Sequence, residues 1–586
     1  MHIDTIHDQI DTFKDNLTPM RNVDGLLRNV DQYLGKIDAE KEWNDNPNEA
    51  YRMFLHTQSY SDFNKEDSLI LLGRTGTGKT AIIRCLCQNV NQGQHPVFNL
   101  AVIAPFDEIL NSVANSITDF TNPVVNYQVS QIISMYLNCY VMKALIKEKP
   151  DCADYTNMRN YIEQNGLKDL GDTSYQSGLS VIDRMLEPAT KLPGAVGTTM
   201  QTIRTTVEIL NAFSQNGYEE AFIEMQHALN NRQVLVLVDT LNEYDLQDGR
   251  IVICLKSLIT TCFSYYNNSK NSHIHVKISI PSEIHTHLIE QLPGKQQGNT
   301  VVIQWKNNDL LKMIAIRMLY CCKNNKEGIL KYEGTYVYED FYKPVGNPVK
   351  KAKEFLYNFL PPECPTSLDY YFDTLAYCIR HTLKKPRELM SIFNHLISVM
   401  NEENDSKYFI KHPNRIRDVI HSTQEELISS ALSMYNTTYP QINAACDVVL
   451  SGRKYYFQGK ALDNKLKEAA ATHSTYGVEA IKRILLESGL VGKITEISYM
   501  YVKDDENSRN RKPTKDNSIR VITARFEYQV KGRLTMNKTD YYVLHPMCYE
   551  HYVCLVGNHT LVYPDQFEDD AEIMKSVRLK DGLGIV

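Results

Sequence analysis

The chain has 586 residues, 43% hydrophobic and 23% charged, with 63 Lys plus Arg against 70 Asp plus Glu for a net charge of −7. That length suits three or four domains with cores of their own, at about 100–200 residues each. The acidic balance excludes a surface coated with basic charge for non-specific nucleic-acid binding and leaves room only for a local basic patch.

Residues 1–60 are polar, with weak helical periodicity through Ile10, Phe13, Leu17, Leu26, Leu27, Val30 and Leu34, and read as a helical lead-in beside the first domain. A first core domain is expected over 61–306. Its strands are Leu69–Leu72, Val97–Ile103 closed by Pro105, Gln233–Val238 ending in Asp239, Ile274–Ile280 closed by Pro281, and Thr300–Trp305. The continuous apolar runs in Leu69–Leu72 and Gln233–Val238 fit strands buried on both faces of a parallel sheet. Their alternation with helical segments predicts an α/β fold.

Residues 107–230 carry helical periodicity, broken near Pro188 to Gly197, and read as a helical insertion in that core. Residues 307–430 read as a helical domain, with loops at Pro344–Pro348 and at Pro361-Pro362. The segment 431–586 starts helical and continues through a helix ending at Gly489. Its β-like runs Lys493–Val502, Ile519–Val530 and Tyr541–Leu544 then suggest a winged-helix-like module.

No run of about 18 uninterrupted apolar residues occurs, and Met1–Asp8 has no basic segment leading into an apolar one. A soluble, cytoplasmic protein without a membrane partner is therefore expected. The 13 cysteines are scattered, and the pairs Cys85/Cys87 and Cys321/Cys322 lie too close together for the usual zinc spacing. They read as reduced thiols packed as small hydrophobes.

The octet Gly73-Arg74-Thr75-Gly76-Thr77-Gly78-Lys79-Thr80 fits G-x-x-x-x-G-K-[ST] between a predicted strand and a predicted helix that opens with Ala81. Gly76 and Gly78 let the backbone curl so that its N–H groups face a phosphate, and the helix N-terminus adds its positive dipole end. Lys79 would reach the β- and γ-phosphates, and Thr80 would place its hydroxyl on Mg²⁺. A second metal anchor belongs at the end of another buried strand, where Asp239 stands. Glu243, four residues on, is the candidate base for the attacking water; the bland alternative makes Glu243, Asp245 and Asp248 charges of a solvated loop.

These motifs together resemble the P-loop ATPases of the STAND and KAP type, including bacterial relatives found in anti-phage defence. The resemblance rests on residues 73–80, Val-Leu-Val-Asp-Thr-Leu-Asn-Glu at 236–243, Val-Lys-Ile-Ser-Ile-Pro-Ser-Glu at 276–283, and the Pro-Arg-acidic-Leu run at 386–389, and covers about 60–400. It implies ATP and Mg²⁺ as ligands, with Gly73 to Ala81 around the phosphates, Lys79 and Thr80 on phosphate and metal, Asp239 on the metal and Glu243 activating water. It also implies that Ser282 senses the γ-phosphate and that Arg387 reaches nucleotide from the helical domain.

Two positions depart from the pattern: Asn242 stands where many relatives carry an acid, and Glu283 where an arginine often follows the strand. Both favour slow turnover, as in a switch. Arg387 has a competing reading as part of a basic helix face with Arg380, Lys384 and Lys385, and Arg317 could equally serve. His285-Thr286-His287, near Glu283 and Glu290, reads as exposed loop rather than metal site. In the expected wing, Arg509, Arg511, Lys512 and Lys515 are offset by Asp504, Asp505 and Glu506, so nucleic-acid contact there stays open against a solvated loop.

The family likeness thus implies an ATP-driven switch that forms a homo-oligomer and controls a separately encoded effector, such as a nuclease or another toxic enzyme. The alternatives are a DNA-binding initiator- or loader-like ATPase, or a scaffold that holds ATP as a structural ligand.

Overall fold

The computed structural model describes residues 33–117, 123–168, 205–215, 217–240, 248–283, 298–324, 329–343, 346–365, 370–452, 454–473, 477–501, 518–527, 534–552, 560–564 and 578–579. Strands β1 (Ile70–Gly73), β2 (Leu100–Pro105), β3 (Val234–Asp239), β4 (Ile274–Pro281) and β5 (Thr300–Val302) form one sheet in the order β2-β3-β4-β1-β5. All its pairings are parallel. β1 and β4 are buried along their whole length, because helices cover both faces.

The strand period of two sorts the side chains between two cores. Leu71, Leu235 and Leu237 face one layer with Trp43, Phe63, Ile83 and Leu86. Ile70, Leu72, Val234, Val236 and Val238 face the other, which runs on into the helical regions. β4 lies between the phosphate-loop strand β1 and the acid-bearing strand β3. The chain thus folds as an α/β P-loop NTPase core of ASCE-like strand order, with helical regions attached.

Two strand boundaries differ from the sequence reading. β2 starts at Leu100, not Val97, because His95 Nδ1 accepts from the amides of Val97 and Phe98 and holds them in a turn. β5 ends at Val302 because Gln304 donates its amide to the Ser59 hydroxyl and leaves the ladder.

Helices Asp107–Ser116, Pro123–Glu148, Thr156–Gln164, Thr206–Ser214 and Tyr218–Ala228 lie between β2 and β3. The stretch Val124–Glu148 is long and apolar enough to cross a membrane by composition, and 61% of its apolar window is buried inside this fold. It packs on the helix Gly249–Ser272, where the Ser257 hydroxyl donates to the Asn126 carbonyl. The cysteines among the described residues are free thiols, and most are buried.

After β5 the chain forms the helix Asn307–Asn324 and a helical region that includes Pro348–Leu356, Thr374–Arg380 and Pro386–Glu402. The sequence reading missed two short strands here, β6 (Glu363–Pro365) and β7 (Tyr370–Asp373). Three or four residues are too few to show a period of two.

The C-terminal segment runs helix Ile442–Leu450, β8 (Tyr456–Gln458), helices Asp463–His473 and Val478–Glu487, then β9 (Val491–Tyr501), β10 (Ser518–Arg525), β11 (Tyr541–Leu544) and β12 (Thr560–Pro564). Its sheet order is β12-β10-β9-β11-β8, and β13 (Arg578–Leu579) joins β7 instead. Helix–strand–helix–helix–strand, with β11 seated between β8 and β9, is a winged-helix-like order extended by β10 and β12. The cations proposed for the wing, Arg509 to Lys515, lie outside the described residues.

Candidate functional site

Beyond β1 the backbone must turn sharply, and Gly76 (φ +84°) and Gly78 (φ +93°) take the left-handed conformations that do it. The Thr77 amide and hydroxyl both donate to the Arg74 carbonyl, at 3.1 and 2.7 Å, which closes the loop on itself. The helix Lys79–Asn91 begins directly after Gly78. Its first-turn N–H groups, with Thr80 and Ala81, therefore open onto the cavity beside the loop.

Lys79 is 5% exposed, and its ammonium donates to the Gly73 and Arg74 carbonyls at 3.0 and 3.4 Å. Burial pushes its pKa down to about 8, against the pull of the Glu283 and Asp239 carboxylates; Arg387 and Lys385 add to the drop.

Asp239 ends β3, in register with Ser279 of β4. The fully buried Ser279 hydroxyl donates to the Asp239 carboxylate, and Thr240 Oγ1 donates to the Ser279 carbonyl at 2.7 Å. The sequence reading passed over Ser279 and selected Ser282. The structure puts Ser282 past the ladder, 3.4 Å from Glu283 Oε2, on the wall of a second, smaller cavity of about 150 Å³. The sequence shows Ser279 only as one of three polar residues, with His275 and Lys277, that alternate with Ile and Val along the strand, and its register with Asp239 comes from the sheet.

Arg387 enters from the helical region. Leu383 donates its amide to Glu388 Oε2 at 2.6 Å, Lys384 takes φ +55°, and Pro386 opens the helix Pro386–Glu402. That turn brings the Arg387 amide to the Gly76 carbonyl at 3.4 Å and lays its side chain along the loop. Arg387 Nε is buried with no hydrogen-bond partner. A buried guanidinium N–H without an acceptor is costly, and a phosphate oxygen would satisfy it.

The basic-face alternative does not match what its other members do. Lys385 pairs with Glu388 at 3.2 Å, with the two side chains 5% and 1% exposed; Lys384 is buried; and the Arg380 guanidinium lies 5.1 Å from the Phe372 ring centre. Arg317 lines the same cavity as Arg387 and also has a buried Nε without a hydrogen-bond partner, but its terminal nitrogens are engaged. It holds Glu42 with both terminal nitrogens, the second at 2.9 Å, and the Leu34 carbonyl at 3.2 Å.

Gly76, Gly78, Lys79, Thr80, Asp239 and Arg387 all line one cavity of about 340 Å³. Its other wall is the lead-in segment Lys36–Asp38 with the start of the helix Ala39–Asp45, a contribution the sequence reading did not foresee. Glu243 and Asn242 lie outside the described residues, as do His285, His287 and Glu290. Among the described residues no three His, Cys, Asp or Glu side chains gather as a metal cluster. Asp239 and the Thr80 hydroxyl instead fit a Mg²⁺ that takes most of its ligands from phosphate and water.

Compared with known protein families and with curated proteins, the chain matches none. Among solved structures it is similar to the Aeropyrum pernix ORC2 protein, described as ADPNP–ADP complexes. The TM-score is 0.29 at 11% identity, over 76% of this chain and 86% of that one. The fold assignment rests on this chain's own strand order and phosphate loop.

Proposed function

We propose that this chain binds and slowly hydrolyses ATP with Mg²⁺, and that its nucleotide state controls assembly into a homo-oligomer and the docking of an effector protein. The observation that carries the reading is the convergence of Lys79, Asp239 and the unsatisfied Arg387 Nε on one cavity between the core and the helical region. Lys79 and Arg387 would offset phosphate charge from two sides, and the helix N-terminus would add aligned N–H groups. Thr80 and Asp239 would hold the metal, with Ser279 keeping the Asp239 carboxylate oriented, and Glu243 would orient the attacking water. Asn242 and Glu283 favour slow turnover. The motif resemblance to STAND and KAP ATPases supports a setting in bacterial anti-phage defence with a separately encoded effector.

The test is the solution mass of the Glu243→Gln protein with and without ATP and Mg²⁺, beside a calorimetric titration of ATP. The expected result is growth to a defined oligomer with ATP only, and loss of both binding and growth in Lys79→Ala. An unchanged mass despite measured ATP binding would end the assembly reading, and wild-type protein that takes up no nucleotide would end the whole proposal.

A second reading, a DNA-binding ATPase of the initiator or loader kind, draws support from the helix–strand–helix–helix order of the C-terminal segment. It requires duplex binding that weakens steeply with salt.

A further inference from the structure

Trp305 sits where the core passes into the helical region, between the end of β5 and the helix Asn307–Asn324. Its ring packs against both hydrophobic cores, the layer under Leu71 and the layer that continues into the helices. From that junction its indole N–H donates to the Thr77 carbonyl at 2.9 Å, across 228 residues of sequence.

Thr77 and Gly78 share a trans peptide, so holding the carbonyl on one side aims the Gly78 N–H at the opposite side. The two cavities mark those sides. Thr77 and Trp305 line the smaller one, and Gly78 lines the larger one with Lys79 and Asp239. Gly78 has a left-handed backbone and open space where a Cβ would lie, so no side-chain packing at Gly78 itself holds this peptide.

We propose that Trp305 is a positioning residue for phosphate recognition: its indole N–H fixes the Thr77–Gly78 peptide so that the Gly78 N–H faces the phosphate. Because the same ring is seated on the helical region, a shift of that region against the core would release the peptide and weaken phosphate binding without touching the nucleotide. The inference rests on the reading of the larger cavity as a nucleotide site.

Trp305→Phe keeps an aromatic ring and removes the donor. ATP, ADP and adenosine are titrated into wild type and variant, with thermal melting in parallel. The expected result is a loss of about tenfold for ATP and ADP, adenosine affinity unchanged, and a melting temperature close to wild type. Equal ATP affinity in the two proteins would overturn the proposal, as would an equal loss for adenosine, which marks general damage to the site. In a Trp43→Phe background Trp305 is the sole indole of the chain, which has two. Inorganic pyrophosphate alone should then shift its emission, and a spectrum that stays still while pyrophosphate binds would also overturn the proposal. Failure of wild type to bind any nucleotide would remove the functional reading itself, a result distinct from either.

Discussion

At the scale of single residues, Lys79 is the cavity group whose charge depends most plainly on its burial. Free of ligand, it loses its proton near pH 8 because burial disfavours the charge. Bound phosphates would stabilise the ammonium and raise that value, so binding above about pH 8 must take up a proton. Nucleotide affinity is therefore expected to be level below about pH 8 and to fall above it, by up to about tenfold per pH unit. Isothermal titration across that range checks it. A profile that stays level through pH 10 would mean that Lys79 keeps its proton without ligand. Ser279 and Arg387 act at the same scale through others: one orients Asp239, and the other brings an unsatisfied donor to the loop.

At the scale of elements, the phosphate loop and the helix that opens at Pro386 are fitted to each other at Gly76. A Cβ added there would lie 3.2 Å from the Arg387 Cβ, on a backbone at φ +84°. Gly93 has a similar backbone, φ +71°, with open space around it. Ala at either position should cost about 1 kcal/mol of stability for the backbone alone. Only Gly76→Ala should also displace Arg387 and weaken nucleotide binding. Denaturant unfolding and ATP titration of the two variants separate the effects; equal binding by both would show that the contact has no role in the site.

The strands that build this element pairing were readable from sequence because β1 and β3 carry unbroken apolar runs, β3 has its acid at the end, and β4 alternates Ile and Val with polar residues up to Pro281. β6 and β7 were not readable, since such short strands gain their pairing from each other and leave no local pattern. The proposed wing and Glu243 lie outside the described residues, so the structure adds nothing to their reading.

At the scale of the whole molecule, the lead-in, the helical region and the C-terminal segment all close on the P-loop core. The Leu34 amide donates to Asn394 Oδ1 at 3.2 Å, while Arg317 grips Glu42 and the Leu34 carbonyl. From the loop itself, Arg74 donates to the Ser488 carbonyl at 3.2 Å, which joins the C-terminal segment to the phosphate loop. The Arg317–Glu42 pair is nearly enclosed, with side chains 13% and 8% exposed. Removing one partner strands a buried charge, so Arg317→Met should cost about 3–5 kcal/mol. The double variant Arg317→Met, Glu42→Leu should recover much of that loss. Denaturant unfolding of the set checks it; a cost for Arg317→Met below about 1 kcal/mol would place the pair among solvent-screened surface bridges.

Sequence alone determined the local part of this protein: a glycine-rich turn between a buried strand and a helix, and an acid at the end of another buried strand. Each of these is specified by neighbours in the chain, where backbone freedom and periodicity act. Tertiary structure alone decided that Ser279 touches Asp239 while Ser282 lines the smaller cavity, that Lys384 and Lys385 are buried, that the lead-in walls the larger cavity, and that Trp305 holds the Thr77 carbonyl. Those contacts join residues tens to hundreds of positions apart, and only strand register and the packing of one layer on another bring such residues together.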